Sequence, residues 1–159
     1  MSPHRTAIVI VASTRAAAGI YEDRSGPIAV EFLRRKGFDC PAARIVPDAD
    51  IAATVAAAFA EEPSVILTSG GTGLTQDDKT VEAVAPHITR ELPGIAVAFW
   101  QKGLESVPTA VASRAIAGVN DSTFAMTLPG STGGVKDGCA VLEELIVPIV
   151  DMLEGVHEH

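Results

Sequence analysis

Short continuous apolar runs alternate with segments of helical periodicity along this chain. Residues 6–12 and 65–67 are runs rich in valine and isoleucine, which is typical of parallel strands that are buried on both faces. Residues 43–46 and 123–128 are predicted as two further strands.

Amphipathic helices are predicted between these strands. Ser25 is a candidate N-cap, Pro27 fits the first helical turn and Gly37 ends this helix. Asp48 is at the expected N-cap of a second helix, residues 51–60, whose apolar positions lie on one face. The order β-α-β-α-β predicts right-handed crossovers and an open, mainly parallel sheet.

The second half of the chain is less regular. Short helices are predicted at residues 81–88 and 94–102, whereas residues 108–119 show no clear pattern. Ser131 begins a final helix, and Pro148 is expected to end or kink it.

Length and composition predict one domain, residues 1–159, with a flexible tail at about residues 154–159. The formal net charge of -8 argues against nucleic-acid or acidic-membrane partners, because those require a cationic surface. The N-terminal apolar run is too short to cross a bilayer and lacks a signal-peptide layout, so we expect a cytoplasmic location. Cys40 and Cys139 form no CxxC pair, so neither a metal knuckle nor a disulfide framework is indicated.

The strongest candidate for chemistry is the glycine loop, residues 68–78, with the sequence TSGGTGLTQDD. Gly70, Gly71 and Gly73 allow positive φ and leave several backbone N–H groups open to one anion. Asp77 and Asp78 follow, and a divalent cation could bridge a carboxylate and a bound phosphate. The alternative is a simple glycine turn with an aspartate cap on the next helix.

A second loop, the Pro-Gly loop at residues 128–131, follows another predicted strand. Its last residue, Ser131, begins a helix whose N–H groups can receive a phosphate or carboxylate. Because ligands of open parallel sheets bind beyond the carboxyl ends of the strands, both loops are expected at one edge. Taken singly, the Pro-Gly loop could merely turn the chain; the pair favours a shared site.

The motifs in these loops, and others around them, resemble the MoaB/Mog-type molybdopterin-binding domain family. The matching pieces are STRAAAGIYEDRSGP, VPD at residues 46–48, TSGGTGLTQDDKT, ELPGIA, VPTAV followed by Ser113 and Arg114, and LPGSTGGVKDG. The CinA N-terminal domain family has a related arrangement, but EDRSGP and LPGSTGGVKDG are more similar to the Mog branch.

The resemblance implies a three-layer α/β/α sandwich with a mainly parallel central sheet, commonly assembled as a homotrimer. It also implies a molybdopterin adenylyltransferase of molybdenum cofactor biosynthesis. Such an enzyme transfers AMP from Mg-ATP to the terminal phosphate of molybdopterin and releases pyrophosphate. The implied ligands are therefore Mg²⁺, ATP and molybdopterin.

By the same resemblance, Asp48 and Asp78 match two functional carboxylates that position metal or take part in transfer. The alternative for Asp48 is a helix cap, and for Arg114 a surface salt bridge. The residues expected to bind phosphate or pterin are Ser69, Gly70, Gly71, Thr72, Gly73, Arg114, Pro129, Gly130 and Ser131.

Two positions depart from the family pattern. Where many relatives have PGxxE and then Arg three residues later, this chain has Val97 and Trp100. These positions share one helix face, so an acid and a base are replaced by apolar groups. The departure keeps two alternatives open: a noncatalytic molybdopterin-binding or carrier protein, and a CinA-like nucleotide pyrophosphate hydrolase.

Overall fold

A six-stranded sheet forms the centre of the computed structural model, which describes residues 4–155. In chain order the strands are β1 (Ala7–Ala12), β2 (Arg44–Val46), β3 (Val65–Ser69), β4 (Arg90–Glu91), β5 (Ala117–Val119) and β6 (Phe124–Leu128). Their spatial order is β2-β1-β3-β6-β5-β4. Strands β2, β1, β3 and β6 are mutually parallel. Strand β5 pairs antiparallel with β6, and β4 pairs antiparallel with β5. The predicted open, mainly parallel sheet is confirmed.

Helices cover both faces of the sheet. They are α1 (Thr14–Ala17), α2 (Ser25–Arg35), α3 (Ile51–Ala60), α4 (Thr80–Val84), α5 (Pro93–Leu104), α6 (Thr132–Leu142) and α7 (Ile146–Leu153). Val9 and Leu67 belong to a core shared with α2, α5, α6 and α7, whereas Ile8, Ile10 and Ile66 pack with α3 and α4. Successive strand residues therefore face opposite layers, which confirms the predicted α/β/α sandwich.

Two predicted helix caps are wrong. Asp48 begins a short 3₁₀ turn before α3 and makes no cap; its carboxylate accepts from Thr14 Oγ1 at 3.0 Å. Ser25 is the first residue of α2, and Asp23 accepts from the backbone nitrogens of Ser25 and Gly26 at 3.1 and 3.0 Å. Asp23 performs this role because it lies just before the helix, where its carboxylate reaches the unpaired amides.

The proline near the C-terminus also differs from the prediction. Helix α6 ends at Leu142, and Pro148 lies in the first turn of a separate helix, α7. Proline is tolerated there because the first N–H groups of a helix have no intrahelical partner. Gly37 follows α2 with φ +94, as expected for a helix end.

The structure describes only part of the predicted C-terminal tail. Of the predicted tail at 154–159, residues 156–159 lie outside the described residues. Among residues 4–155, no helix combines the length and apolar character needed to cross a bilayer.

Candidate functional site

The glycine loop has a backbone that only glycine fits at two successive positions. Gly70 and Gly71 follow β3 with φ +92 and +73. A Cβ on Gly70 would lie 2.3 Å from the carbonyl oxygen of Ala12, and one on Gly71 would lie 2.0 Å from Thr80 Oγ1. The loop therefore passes directly over the end of β1 and the start of α4.

The glycine loop and the Pro-Gly loop meet at one edge of the sheet. The backbone nitrogen of Gly70 donates to the carbonyl oxygen of Leu128 at 3.0 Å. A Cβ on Gly130 would lie only 3.4 Å from the Cα of Gly70. The predicted convergence of the two loops is confirmed, because parallel β3 and β6 are direct neighbours.

Between the loops lies an open cleft of about 460 Å³. Sequence reasoning had selected most of its lining, but it missed Leu74, Thr109, Ala112 and Ser113. The last three belong to residues 108–119, where hydrophobic periodicity gives no signal; the family motif there includes Thr109 in VPTAV and Ser113 before Arg114, and it does not include Ala112. The full lining is Gly70, Gly71, Thr72, Gly73, Leu74, Asp78, Thr109, Ala112, Ser113, Pro129, Gly130 and Ser131.

A second pocket of about 380 Å³ adjoins the cleft and shares Thr109, Ser113, Pro129 and Ser131 with it. Its lining comes mainly from α5, the following turn and α6, and it combines Phe99 and Val107 with Asp137 and several hydroxyl groups. At the junction, Ser131 Oγ accepts from the backbone nitrogen of Gly134 at 3.0 Å and caps α6. The N-terminus of α6 therefore lies where the polar cleft and the second pocket join.

Ser69 supports the two loops from below. Its hydroxyl donates to the carbonyl oxygen of Pro129 at 3.0 Å and lies 2.9 Å from Ser25 Oγ, which in turn donates to Asp23. Ser69 is 1% exposed and does not line the cleft. A direct ligand contact by Ser69 stays a prediction; the structure shows it connecting β3, β6 and α2.

Asp78 is held as a carboxylate beside the cleft. Burial by itself raises its pKa, but hydrogen bonds from Thr75 and Gly73 and the charge of Arg114 outweigh burial and lower the pKa overall. Its Oδ2 accepts from the Thr75 nitrogen at 3.0 Å and from Thr75 Oγ1 at 2.8 Å. Asp77 is exposed and does not line the cleft.

The structure does not bring Asp48 into the same cleft. Asp48 follows β2, which is separated from β3 by β1, and it is not part of the cleft lining. Thr14 Oγ1 holds its carboxylate at the same sheet edge. A functional role for Asp48 stays a prediction.

Arg114 lies behind the glycine loop. Its Nε donates to the carbonyl oxygen of Gly73 and its Nη2 to that of Asp78, both at 2.9 Å, and Nη1 pairs with Glu82. The salt bridge weighed as the alternative for this residue is therefore present. Phosphate binding by Arg114 stays a prediction, and the structure does not include it in the cleft lining.

The two departures from the family pattern have different environments. Val97 is 46% exposed on α5. Trp100 is half-buried, and its indole Nε1 donates to the carbonyl oxygen of Ser113 at 2.9 Å. Trp100 therefore connects α5 to the segment that carries Arg114.

A family model described as "Probable molybdopterin binding domain" matches residues 8–151. The chain belongs to this family. The matched segment includes the glycine loop, the Pro-Gly loop and the cleft between them. The MoaB/Mog-type resemblance indicated by the motifs is confirmed.

Several relatives of this molybdopterin-binding family member have names from molybdenum cofactor biosynthesis. It is 42% identical over 153 residues to the "Molybdenum cofactor biosynthesis bifunctional protein" of Chlorobaculum tepidum, with 95% of this chain and 49% of that protein aligned. It is 36% identical over 160 residues to "Molybdenum cofactor biosynthesis protein B" of Staphylococcus aureus, with 97% and 90% aligned. The molybdopterin biosynthesis Mog protein of Mycobacterium ulcerans has a TM-score of 0.90 at 38% identity, covering 97% of this chain and 99% of that one.

The chain spans about half the length of the bifunctional relatives it matches. It is a molybdopterin-binding domain of the type found in molybdenum cofactor biosynthesis proteins.

Proposed function

We propose that this chain is a molybdopterin adenylyltransferase, which transfers AMP from Mg-ATP to the terminal phosphate of molybdopterin and releases pyrophosphate. The observation that carries the proposal is the meeting of the two loops, where the nitrogen of Gly70 donates to Leu128 beside one cleft. A reaction between two phosphate groups requires both to be held side by side. Two adjoining loops at one sheet edge supply two neighbouring anion sites.

In the proposed reaction, an oxygen of the terminal phosphate of molybdopterin attacks the α-phosphorus of ATP. The new P–O bond forms as the bond from the α-phosphorus to the bridging oxygen breaks, and pyrophosphate leaves with that electron pair. Repulsion between the anions opposes this step, and a chain of net charge -8 has no excess of cationic side chains to offset it. Backbone N–H groups of the glycine loop and the N-terminus of α6 supply partial positive charge instead.

Mg²⁺ fits this cleft as an ion shared with substrate phosphates. Within residues 4–155, no group of three His, Cys, Asp or Glu side chains is placed to hold a metal. Mg²⁺ nevertheless binds commonly through one or two carboxylates plus phosphate oxygens. Asp78, the ionised carboxylate of the cleft lining, would hold it. The ion supplies positive charge to the phosphates when bound.

The adjoining pocket supports the same proposal. Its lining includes Phe99 and Val107 together with Asp137, and it shares Ser113 and Ser131 with the cleft. A planar ring system with polar edge groups, attached to a phosphate, matches a pocket with apolar and acidic walls beside a polar cleft. We assign this pocket to the ring of one substrate.

The test is a single-turnover assay of the purified protein with molybdopterin, ATP and Mg²⁺, following pyrophosphate and the adenylylated pterin. Asp78→Asn is expected to lower turnover at least about 100-fold, because it removes the charge that holds the metal. Asp77→Asn is the matched control, since its carboxylate is exposed outside the cleft, and it is expected to remain close to wild type. If the wild-type protein binds both substrates and makes no adenylylated pterin, the enzyme proposal is wrong.

Other outcomes of this assay separate the alternatives. Cleavage of a nucleotide pyrophosphate bond without pterin would indicate a CinA-like hydrolase. Tight pterin binding without transfer would indicate a carrier, the alternative raised by Val97 and Trp100.

A homotrimer is proposed as the assembly. Apolar side chains on α5 and the turn after it are about half exposed, which favours association. These side chains are Val97, Leu104, Val107 and Val111. Light scattering of the purified protein measures the assembly; a monomeric mass at working concentration would contradict it.

A further inference from the structure

We propose that Arg114 is a positioning residue that holds the glycine loop in its anion-binding shape, and that Trp100 holds the segment carrying Arg114. This inference deepens the proposed function and rests on it for the nature of the ligand. It assigns Arg114 a different role from the phosphate contact implied by family resemblance.

The contacts of Arg114 connect two parts of the glycine loop. Its guanidinium donates to the carbonyl oxygens of Gly73 and Asp78, both at 2.9 Å. Its backbone nitrogen donates to the carbonyl oxygen of Thr72 at 3.0 Å. A guanidinium presents several donors in a rigid fork, so it can hold two carbonyl oxygens at once. The segment between residues 73 and 78 is therefore closed by one side chain.

These contacts also set the direction of the backbone N–H groups. In a planar trans peptide unit, the N–H points opposite to the C=O. The carbonyl groups of Thr72 and Gly73 point toward Arg114, so the N–H groups of Gly73 and Leu74 point away from it. The Gly73 N–H bonds to the Asp78 carboxylate, which leaves the Leu74 N–H to face an anion. Arg114 lines the space on the far side of the loop, not the cleft. Arg114 thus orients the Leu74 amide directly and holds the loop segment that carries Asp78, without lining the cleft itself.

Trp100 holds the residue that precedes Arg114. Its Nε1 donates to the carbonyl oxygen of Ser113 at 2.9 Å, and Ser113 Oγ lies 2.9 Å from Thr72 Oγ1. The residue before Arg114 is therefore fixed between α5 and the glycine loop. A phenylalanine at position 100 would retain the ring packing but lose the donated hydrogen bond.

The experiment combines amide hydrogen exchange of residues 72–79 with calorimetric binding of inorganic pyrophosphate. In Arg114→Met, exchange in this segment is expected to rise at least about 10-fold and pyrophosphate affinity to fall by a similar factor, because two carbonyl contacts are lost. Arg114→Lys is expected to restore little of either, since an ammonium group cannot replace the fork. Trp100→Phe is expected to change both readouts in the same direction, by about 3-fold.

Arg44→Met is the matched control. The side chains of Arg44 and Arg114 are each 34% exposed and each pairs with a glutamate, Glu61 and Glu82. Arg44 lies on the edge strand β2, which β1 separates from β3, and it pairs with Glu61 outside the glycine loop, so neither readout is expected to change.

Two results would overturn the inference and indicate a direct phosphate contact. One is a loss of pyrophosphate affinity in Arg114→Met while its amide exchange stays at the wild-type rate. The other is a recovery of pyrophosphate affinity in Arg114→Lys. The exchange measurement needs no substrate and no turnover. A wild-type protein that fails to make adenylylated pterin would therefore refute the proposed function, while faster exchange in the Arg114 and Trp100 variants would still support the positioning role.

Discussion

Replacing Gly70 by alanine is the most direct perturbation of the site, because Gly70 lies where the ends of β1, β3 and β6 meet. Two costs are expected. An L-residue in a left-handed conformation such as φ +92 costs about 1 to 2 kcal/mol. The added Cβ would also lie 2.3 Å from the carbonyl oxygen of Ala12, a backbone atom that can move only with β1.

Overpacking of this kind costs about 1 to 3 kcal/mol, so the expected total is about 2 to 5 kcal/mol of unfolding free energy. That is a large part of the about 5 to 15 kcal/mol typical of a domain. Two other glycines separate the contributions. Gly37 has φ +94 with no atom near a built Cβ, and Gly94 in α5 has neither a positive φ nor a close contact.

The free energy of unfolding is measured by urea titration, using far-ultraviolet circular dichroism and the fluorescence of Trp100, the single tryptophan. Gly37→Ala is expected to lower the free energy of unfolding by about 1 to 2 kcal/mol, the conformational cost alone. Gly94→Ala is expected to be neutral or to gain up to about 1 kcal/mol. If Gly70→Ala loses no more than Gly37→Ala, the contact with Ala12 does not constrain the loop and the reasoning is refuted.

Three further predictions concern Ser69, the two buried cysteines and Asp78. Ser69→Ala is expected to lose about 1 to 3 kcal/mol of unfolding free energy in the same urea titration, because the carbonyl oxygen of Pro129 loses its donor in a buried setting; a loss below about 0.5 kcal/mol would contradict this. Burial raises the pKa of the Cys40 and Cys139 thiols to about 11, so alkylation by iodoacetamide at pH 8 is expected to be slow in the folded protein and fast in urea. Mass spectrometry counts the labelled thiols, and equal rates in both states would show that the thiols are accessible. The pKa of Asp78 is lowered in the folded state, so its stabilisation is present above the unfolded value of about 3.9 and is lost as the pH falls through the folded value. The free energies of unfolding at pH 6 and pH 3 are expected to differ more in wild type than in Asp78→Asn. An equal difference in both proteins would show that the Asp78 carboxylate does not stabilise the fold.

The elements and the two loops could be predicted from the sequence, because their signals are local. A strand buried on both faces requires an unbroken apolar run, and residues 6–12 and 65–67 show one. Gly70 and Gly71 indicated a backbone that excludes side chains, and the parallel order of strands placed this loop at the same edge as Gly130. Strand β4 has two residues, too few for any hydrophobic period, and it was missed.

The partners of the longer polar side chains depended on the tertiary structure. Arg114 contacts the back of the glycine loop, Asp48 lies outside the cleft, and Asp23 rather than Ser25 caps α2. Each of these groups has several possible partners within reach, and the choice depends on strand order and on which face of the loop the side chain meets. Local sequence therefore determined which segments form the site, whereas the packing of distant segments decided which atoms face the ligand and which support the loop.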